Sequence, residues 1–210
     1  AKGKTIGILE AINKIHAPGF DKDDLELFLA YAGQAAVAID NSRLHQELLE
    51  SQKVEQELQL AHRIQQSFLP SSFPQLPDFE FSAYNLPARQ VGGDFYDFIP
   101  LGGKKLAFFI GDVSGKGIPA ALYMARVMHE FRFLGLRYEE PARVLLEVNR
   151  LLLERPSSGF FITALYALLD IKQKKISLAN AGHLPAILYR GRKAKTIGKA
   201  LSPPLAITKK

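Results

Sequence analysis

The spacing of apolar residues changes along the chain. Over residues 5–15, TIGILEAINKI, apolar positions cluster in a short run around Gly7, which predicts a strand, and Pro18-Gly19 of HAPGF then marks a turn. Asp21, with Asp24 three residues on, supplies a helix N-cap and a first-turn carboxylate. The following stretch runs to Leu69 without proline and with Gly33 as its only glycine. Leu25, Phe28, Leu29, Ala32, Ala35, Ala36 and Ile39 recur there at helical spacing. Past Leu44 the helix turns more polar. Leu48, Ser51, Val54, Leu58, Ala61, Gln65 and Phe68 repeat at three or four residues, with a skip near Ser51, as an interrupted heptad. Two readings follow: a dimerising helix that carries a signal, or an amphipathic helix lying on its own domain.

The prolines of PSSFPQLPDF, 70–79, end that helix. Beyond them the pattern predicts strands in 79–88, 94–101 and 104–113, helices over 118–134 and 141–154, and strands in 159–171, 174–182 and 184–191. Strands flanking two central helices give an α+β domain with much antiparallel sheet. No internal repeat interrupts this plan.

Composition narrows the function classes. Hydrophobic residues make up 47% and charged residues 23% of the 210, which favours a packed core over disorder. The absence of cysteine excludes disulfides, thiolate metal sites and a cysteine nucleophile, and fits a reducing, cytoplasmic setting. No apolar run reaches the roughly 18 residues of a membrane span, and the broken apolar start does not read as a signal peptide. The net charge of +6 comes partly from YRGRKAKTIGK, 189–199, and TKK, 208–210, without interleaved aromatics. A solvated basic face is expected there, with neither nucleic acid nor membrane as partner.

The candidate chemistry centres on IGDVSGKGIPAALYMA, 110–125, where Asp112 closes an apolar run and glycines follow. A Walker loop would need one more residue between its glycines and a Ser or Thr after the lysine; Gly117 stands there instead. QVGGDFYDFIP, 90–100, places a second aspartate, Asp94, beside two glycines. Glycine next to a carboxylate lets the backbone fold closely, so a hard cation such as Mg²⁺ or Mn²⁺ can reach side chain and carbonyl together. The bland alternative is a pair of Asx turns at strand ends. Asp97 reads as a strand-end residue or as a hydrogen-bonder behind the site, His183 as a local hydrogen-bonder or a group near the site, and Lys116 as a solvated lysine rather than one that attracts phosphate. Ser114 has no nearby base in sequence for nucleophilic work.

Three segments in this order, VGGDFYD, GDVSGKGIPAAL and NAGHLPAILY, resemble the SpoIIE-like branch of the PPM-type, metal-dependent Ser/Thr protein phosphatases. LQLAHRIQQSFLP, 58–70, resembles the helix leading into that domain, so the likeness covers 58–210. GKTIGILEAINK and the helix after it resemble the last strand and last helix of a GAF sensor domain.

The resemblance implies a GAF-like part over 1–43, a linker helix over 44–66 and the N-terminal part of a phosphatase domain over 67–210, with a β-sandwich flanked by helices. It implies two Mn²⁺ or Mg²⁺ ions and a water nucleophile. Asp94 matches the first metal aspartate, Asp112 the bridging one and Val113 the carbonyl ligand, while Arg89 matches a phosphate contact of other branches. The implied substrate is a phosphorylated anti-sigma-factor antagonist. Independently of the resemblance, the apolar stripe of Leu44, Leu48, Val54, Leu58 and Ala61 predicts a parallel homodimer through the 44–66 helix. A non-catalytic dimerising or partner-binding module of the same fold is the alternative. The family's later aspartates, one in a TDG motif, have no counterpart in this sequence. The expectation is therefore a central fragment of a longer sensor-phosphatase, weakly active or inactive by itself, with an unpaired sheet edge.

Overall fold

The computed structural model describes residues 5–15, 18–102, 104–155 and 159–208. These form two compact units that divide between Glu57 and Leu58. In the first unit, residues 5–15 join no sheet, contrary to the strand expected from their apolar run: no ladder partner exists among the described residues. Helix α1, Lys22–Phe68, begins on a reciprocal cap. The Asp24 amide donates to Asp21 Oδ1 at 3.0 Å, and the Asp21 amide donates to Asp24 Oδ2 at 2.9 Å. Lys14 bridges both carboxylates. Along the helix, Leu44, Leu48 and Val54 stay exposed.

The second unit holds the last turns of α1 and, among the described residues, all the strands. Its main sheet is antiparallel, in the order β1 (Phe95–Leu101), β2 (Lys105–Val113), β3 (Ile162–Asp170), β4 (Lys175–Ala181). Helices α2 (Ile118–Arg137) and α3 (Pro141–Glu154) pack on one face, α2 over β1 and β2, α3 over β3 and β4. Both helices open with an early proline. In α3, Val144, Leu145, Val148 and Leu152 recur at i, i+1, i+4, i+8 and are buried.

The register places Phe95, Phe109 and Tyr166 on the helix-bearing face, where all three rings meet Phe131 of α2 or one another at 4.7–6.1 Å. Gly111 faces Phe95 across the ladder, and a Cβ there would lie 2.4 Å from the Phe95 ring. The glycine of IGDV is thus a packing requirement of this core.

On the opposite face Phe81 packs edge-on against Phe98 and Phe108. Residues 79–88 therefore cover the sheet as irregular chain and do not form the expected strand; Pro87 within the segment has no amide to donate. The basic stretch after Tyr189 forms part of a two-stranded hairpin, β5 (Ala186–Arg190) and β6 (Lys193–Ile197); β5 falls within the expected strand and β6 beyond it. Leu205 pairs through both backbone groups with Ile162 at the start of β3. No helix among the described residues is long and apolar enough to cross a membrane.

Candidate metal centre

Strand alternation and register bring the predicted aspartates together. Phe95 pairs with Gly111, so Asp94, one residue earlier, falls opposite Asp112; Asp112 in turn pairs with Thr163 of β3. Side chains alternate between faces, so Asp94, Asp112 and Thr163 line one row at the end of the sheet, on the face away from α2 and α3. His183 extends the row, its Nδ1 standing 2.8 Å from Thr163 Oγ1. Loss of hydration comes first, and then the charge of Asp94 and a hydrogen bond with it, in pushing the Asp112 carboxyl up from 3.8 to about 6. Burial holds His183 below the ordinary imidazole value, and the charge of Asp94 partly opposes this.

Each loop has a local cause. Gly93 lies against the end of β2: a Cβ on it would sit 2.6 Å from the Val113 carbonyl oxygen and 3.2 Å from Asp112 Oδ1. Val113 is fully buried, and its amide donates to the Gly93 carbonyl at 3.3 Å. After Val113 the chain turns through Gly115 (φ 95°) and Gly117 (φ 74°), backbone angles that favour glycine, and Gly117 opens α2. Ser114 is occupied structurally, its Oγ accepting the Phe161 amide at 2.9 Å.

Arg89 lines a cleft of about 270 Å³ with Lys116 beside the start of α2, and is not ion-paired to either aspartate among the described residues. Asp97 is no plain strand-end residue. It is buried mid-strand, paired with Arg132 of α2, and accepts its neighbour Phe98's amide at 2.8 Å.

The pattern of residue types did not point to Thr163, Asn180 or Gln65. Asn180 at the end of β4 accepts the His183 amide at 2.8 Å and donates to the carbonyls of His183 and Gly198, fixing the turn that carries the imidazole. Gln65 of α1 holds the Gly92 backbone. The signal in each case was a polar residue in an apolar setting: Thr163 in ITALYALLD, Gln65 in the stripe with Leu58 and Ala61.

Two adjoining carboxylates and a nearby carbonyl are hard oxygen donors, and the raised Asp112 pKa marks a place where positive charge is wanted. This donor set suits Mg²⁺ or Mn²⁺ completed by water. No group of three or more His, Cys, Asp or Glu stands together among the described residues, so these donors fit a water-rich site.

A family model described as Stage II sporulation protein E (SpoIIE) matches residues 102–210, just over half of the chain. The chain belongs to the SpoIIE family. Among curated SpoIIE relatives, the phosphoserine phosphatase RsbU of Bacillus subtilis is 33% identical over 138 residues, covering 66% of this chain and 41% of RsbU. The phosphoserine phosphatase RsbP of the same organism is 28% identical, covering 72% of this chain and 38% of RsbP. The chain thus spans less than half the length of these relatives.

Solved structures agree on the fold. The SiaA-PP2C domain of Pseudomonas aeruginosa superposes with a TM-score of 0.61 at 21% identity, covering 74% of this chain and 63% of that one. The RsbU and RsbW domains of a Mycobacterium tuberculosis protein give 0.51 at 26% identity, covering 57% and 34%. The α+β architecture with an antiparallel sheet is therefore that of PP2C-type phosphatases.

Proposed function

We propose that this chain carries part of a metal-dependent protein phosphatase that removes phosphate from phosphoserine or phosphothreonine, with a phosphorylated anti-sigma-factor antagonist as substrate. The observation that carries the reading is the Asp94–Asp112 pair, juxtaposed by strand register with Asp112 pushed up to about 6. RsbU and RsbP, both phosphoserine phosphatases by name, supply the substrate class.

Asp94, Asp112 and the Val113 carbonyl would hold Mn²⁺ or Mg²⁺, two ions in the full site. Such an ion supplies Lewis-acid polarisation of phosphoryl oxygens and acidifies water. The chain's own part is to keep two like charges adjacent. Ser114 is engaged by the Phe161 amide and unsuited to a covalent step. Arg89 and Lys116, flanking one cleft, offer positive charge to a phosphorylated segment.

The exposed Leu44, Leu48 and Val54 on α1 support a parallel homodimer, through which a GAF-type sensor would regulate the phosphatase part. Sedimentation tests the pairing: Leu48→Glu is expected to shift a wild-type dimer to monomer, and a monomeric wild type at micromolar concentration would refute it.

The activity test is phosphate release from a phosphoserine protein by the longer sensor-phosphatase of which this chain is expected to be a part, with Mn²⁺ or with EDTA, alongside Mn²⁺ titration. Mn²⁺-dependent release that Asp112→Asn abolishes is expected. Release that survives EDTA, or full activity in that variant, overturns the reading. Mn²⁺ binding without release would favour the non-catalytic module.

A further inference from the structure

The last turns of α1 hold the segment that carries Asp94 at successive points. His62 Nδ1 contacts the Gln90 carbonyl at 2.5 Å. Gln65, 6% exposed, grips Gly92 from both sides: its Nε2 donates to the Gly92 carbonyl at 2.7 Å, and its Oε1 accepts the Gly92 amide at 3.1 Å. The Phe68 carbonyl, at the end of the helix, accepts from Arg132 Nη2 at 3.0 Å, and the same guanidinium pairs with Asp97. His62, Gln65 and Phe68 follow each other at three-residue spacing, so they share one helix face. Their anchors, Gln90, Gly92 and Asp97, bracket Asp94.

Gln65 is an unusual choice for a buried helical position. An apolar residue would fill the space without needing partners, whereas a buried amide must satisfy both of its ends. Here both ends are spent on the backbone of a single residue, as a neighbouring strand would do. Gly92 needs such a substitute. It lies outside β1, two residues before Asp94, in irregular chain where no ladder holds it. The next residue, Gly93, sits so close to the Val113 carbonyl that a small drift of the loop would move Asp94 relative to Asp112 and Val113 together.

We propose that Gln65 is a positioning residue for the metal centre: its two hydrogen bonds to Gly92 set the loop that places Asp94 opposite Asp112, so that their loss weakens cation binding. The inference rests on the metal reading above. Outer-shell partners of this kind alter metal affinity by about ten- to a hundredfold when removed.

The test uses the 210-residue chain with Mn²⁺ as the probe and two readouts, amide hydrogen exchange without metal and Mn²⁺ affinity by calorimetry. Gln65→Ala removes the clamp; Gln65→Met removes it while keeping the volume, in case the alanine variant folds poorly. Val148→Ala, a core truncation in α3 away from the site, controls for general destabilisation. Faster exchange across residues 90–97, with Mn²⁺ binding weakened about tenfold or more in both Gln65 variants and unchanged in Val148→Ala, supports the proposal.

Unchanged exchange at 90–97 overturns the clamp, whatever the metal does. Faster exchange with wild-type Mn²⁺ affinity overturns the positioning role and leaves the metal reading standing. If the wild type binds no Mn²⁺ while exchange still rises, the metal reading fails, and the positioning role falls with it.

Discussion

Replacing Asp112 by asparagine separates the demands of the fold from those of the chemistry. Loss of hydration first, and then the adjoining Asp94 carboxylate, favour the protonated form of Asp112, whose carboxyl moves from 3.8 to about 6. Between these values the folded chain holds more protons than the unfolded chain, so stability falls as pH rises through that window and stays level above it. At about 1.4 kcal/mol per pKa unit the ceiling is about 3 kcal/mol. The carboxyl still reaches solvent, so screening reduces this to about 1 kcal/mol. The asparagine side chain carries no charge and can donate to Asp94. Without metal at pH 7.5, Asp112→Asn is therefore expected to melt above the wild type, by roughly 2–4 °C for a unit of this size. Near pH 4 the difference should vanish. Saturating Mn²⁺ should reverse the order, because the wild type gains about 2.7 kcal/mol at a hundredfold excess over Kd and the variant does not. Thermal unfolding at both pH values, with EDTA and with Mn²⁺, checks all of this. A variant less stable than wild type in EDTA at pH 7.5 would refute the reasoning, since the carboxylate would then be satisfied by the protein itself.

Gly93→Ala places a Cβ 2.6 Å from the Val113 carbonyl, a backbone atom that cannot swing away. It should cost about 1–3 kcal/mol in chemical denaturation and abolish Mn²⁺ binding by calorimetry. Tyr166 is fully buried and its hydroxyl finds no hydrogen-bond partner among the described residues; Tyr166→Phe should raise the melting temperature, with about 1 kcal/mol gained by removing an unsatisfied group. Arg132→Met strands the buried Asp97 carboxylate and frees the Phe68 carbonyl, and a loss of about 2 kcal/mol is expected in urea unfolding, below the range for fully buried pairs because Arg132 is half exposed.

Much of the second unit was readable from periodicity, because its elements have clean amphipathic or apolar patterns. The helix over 141–154 and the apolar runs of β2 and β3 are examples. Misreadings arose where tertiary contacts outweigh local pattern. Phe79 and Phe81 alternate as a strand would, yet Phe81 serves as a cover on Phe98 and Phe108. Residues 5–15 look apolar enough for a strand but find nothing to pair with among the described residues. β6 was obscured by its lysines, which are free to face solvent on an exposed hairpin. Asp94 and Asp112 were visible at the site because glycines flank them. Thr163 was not, because its place beside Asp112 depends on a β2–β3 register that no local pattern encodes; His183 stood out in its motif, but its partner Thr163 did not.

The anchoring of α1 also has a consequence for the order of assembly. Gln65 is bound by a residue 27 positions later in the chain, and the Phe68 carbonyl by one 64 positions later. Synthesis runs from the N-terminus, so the end of the helix leaves the ribosome well before anything that can hold it. Until β1 and α2 have been made and have come together, Leu58 and Ala61 remain in water and Gln65 is hydrated. The end of α1 consequently settles only after residues well beyond it, through α2, have been made, although it leaves the ribosome before all of them.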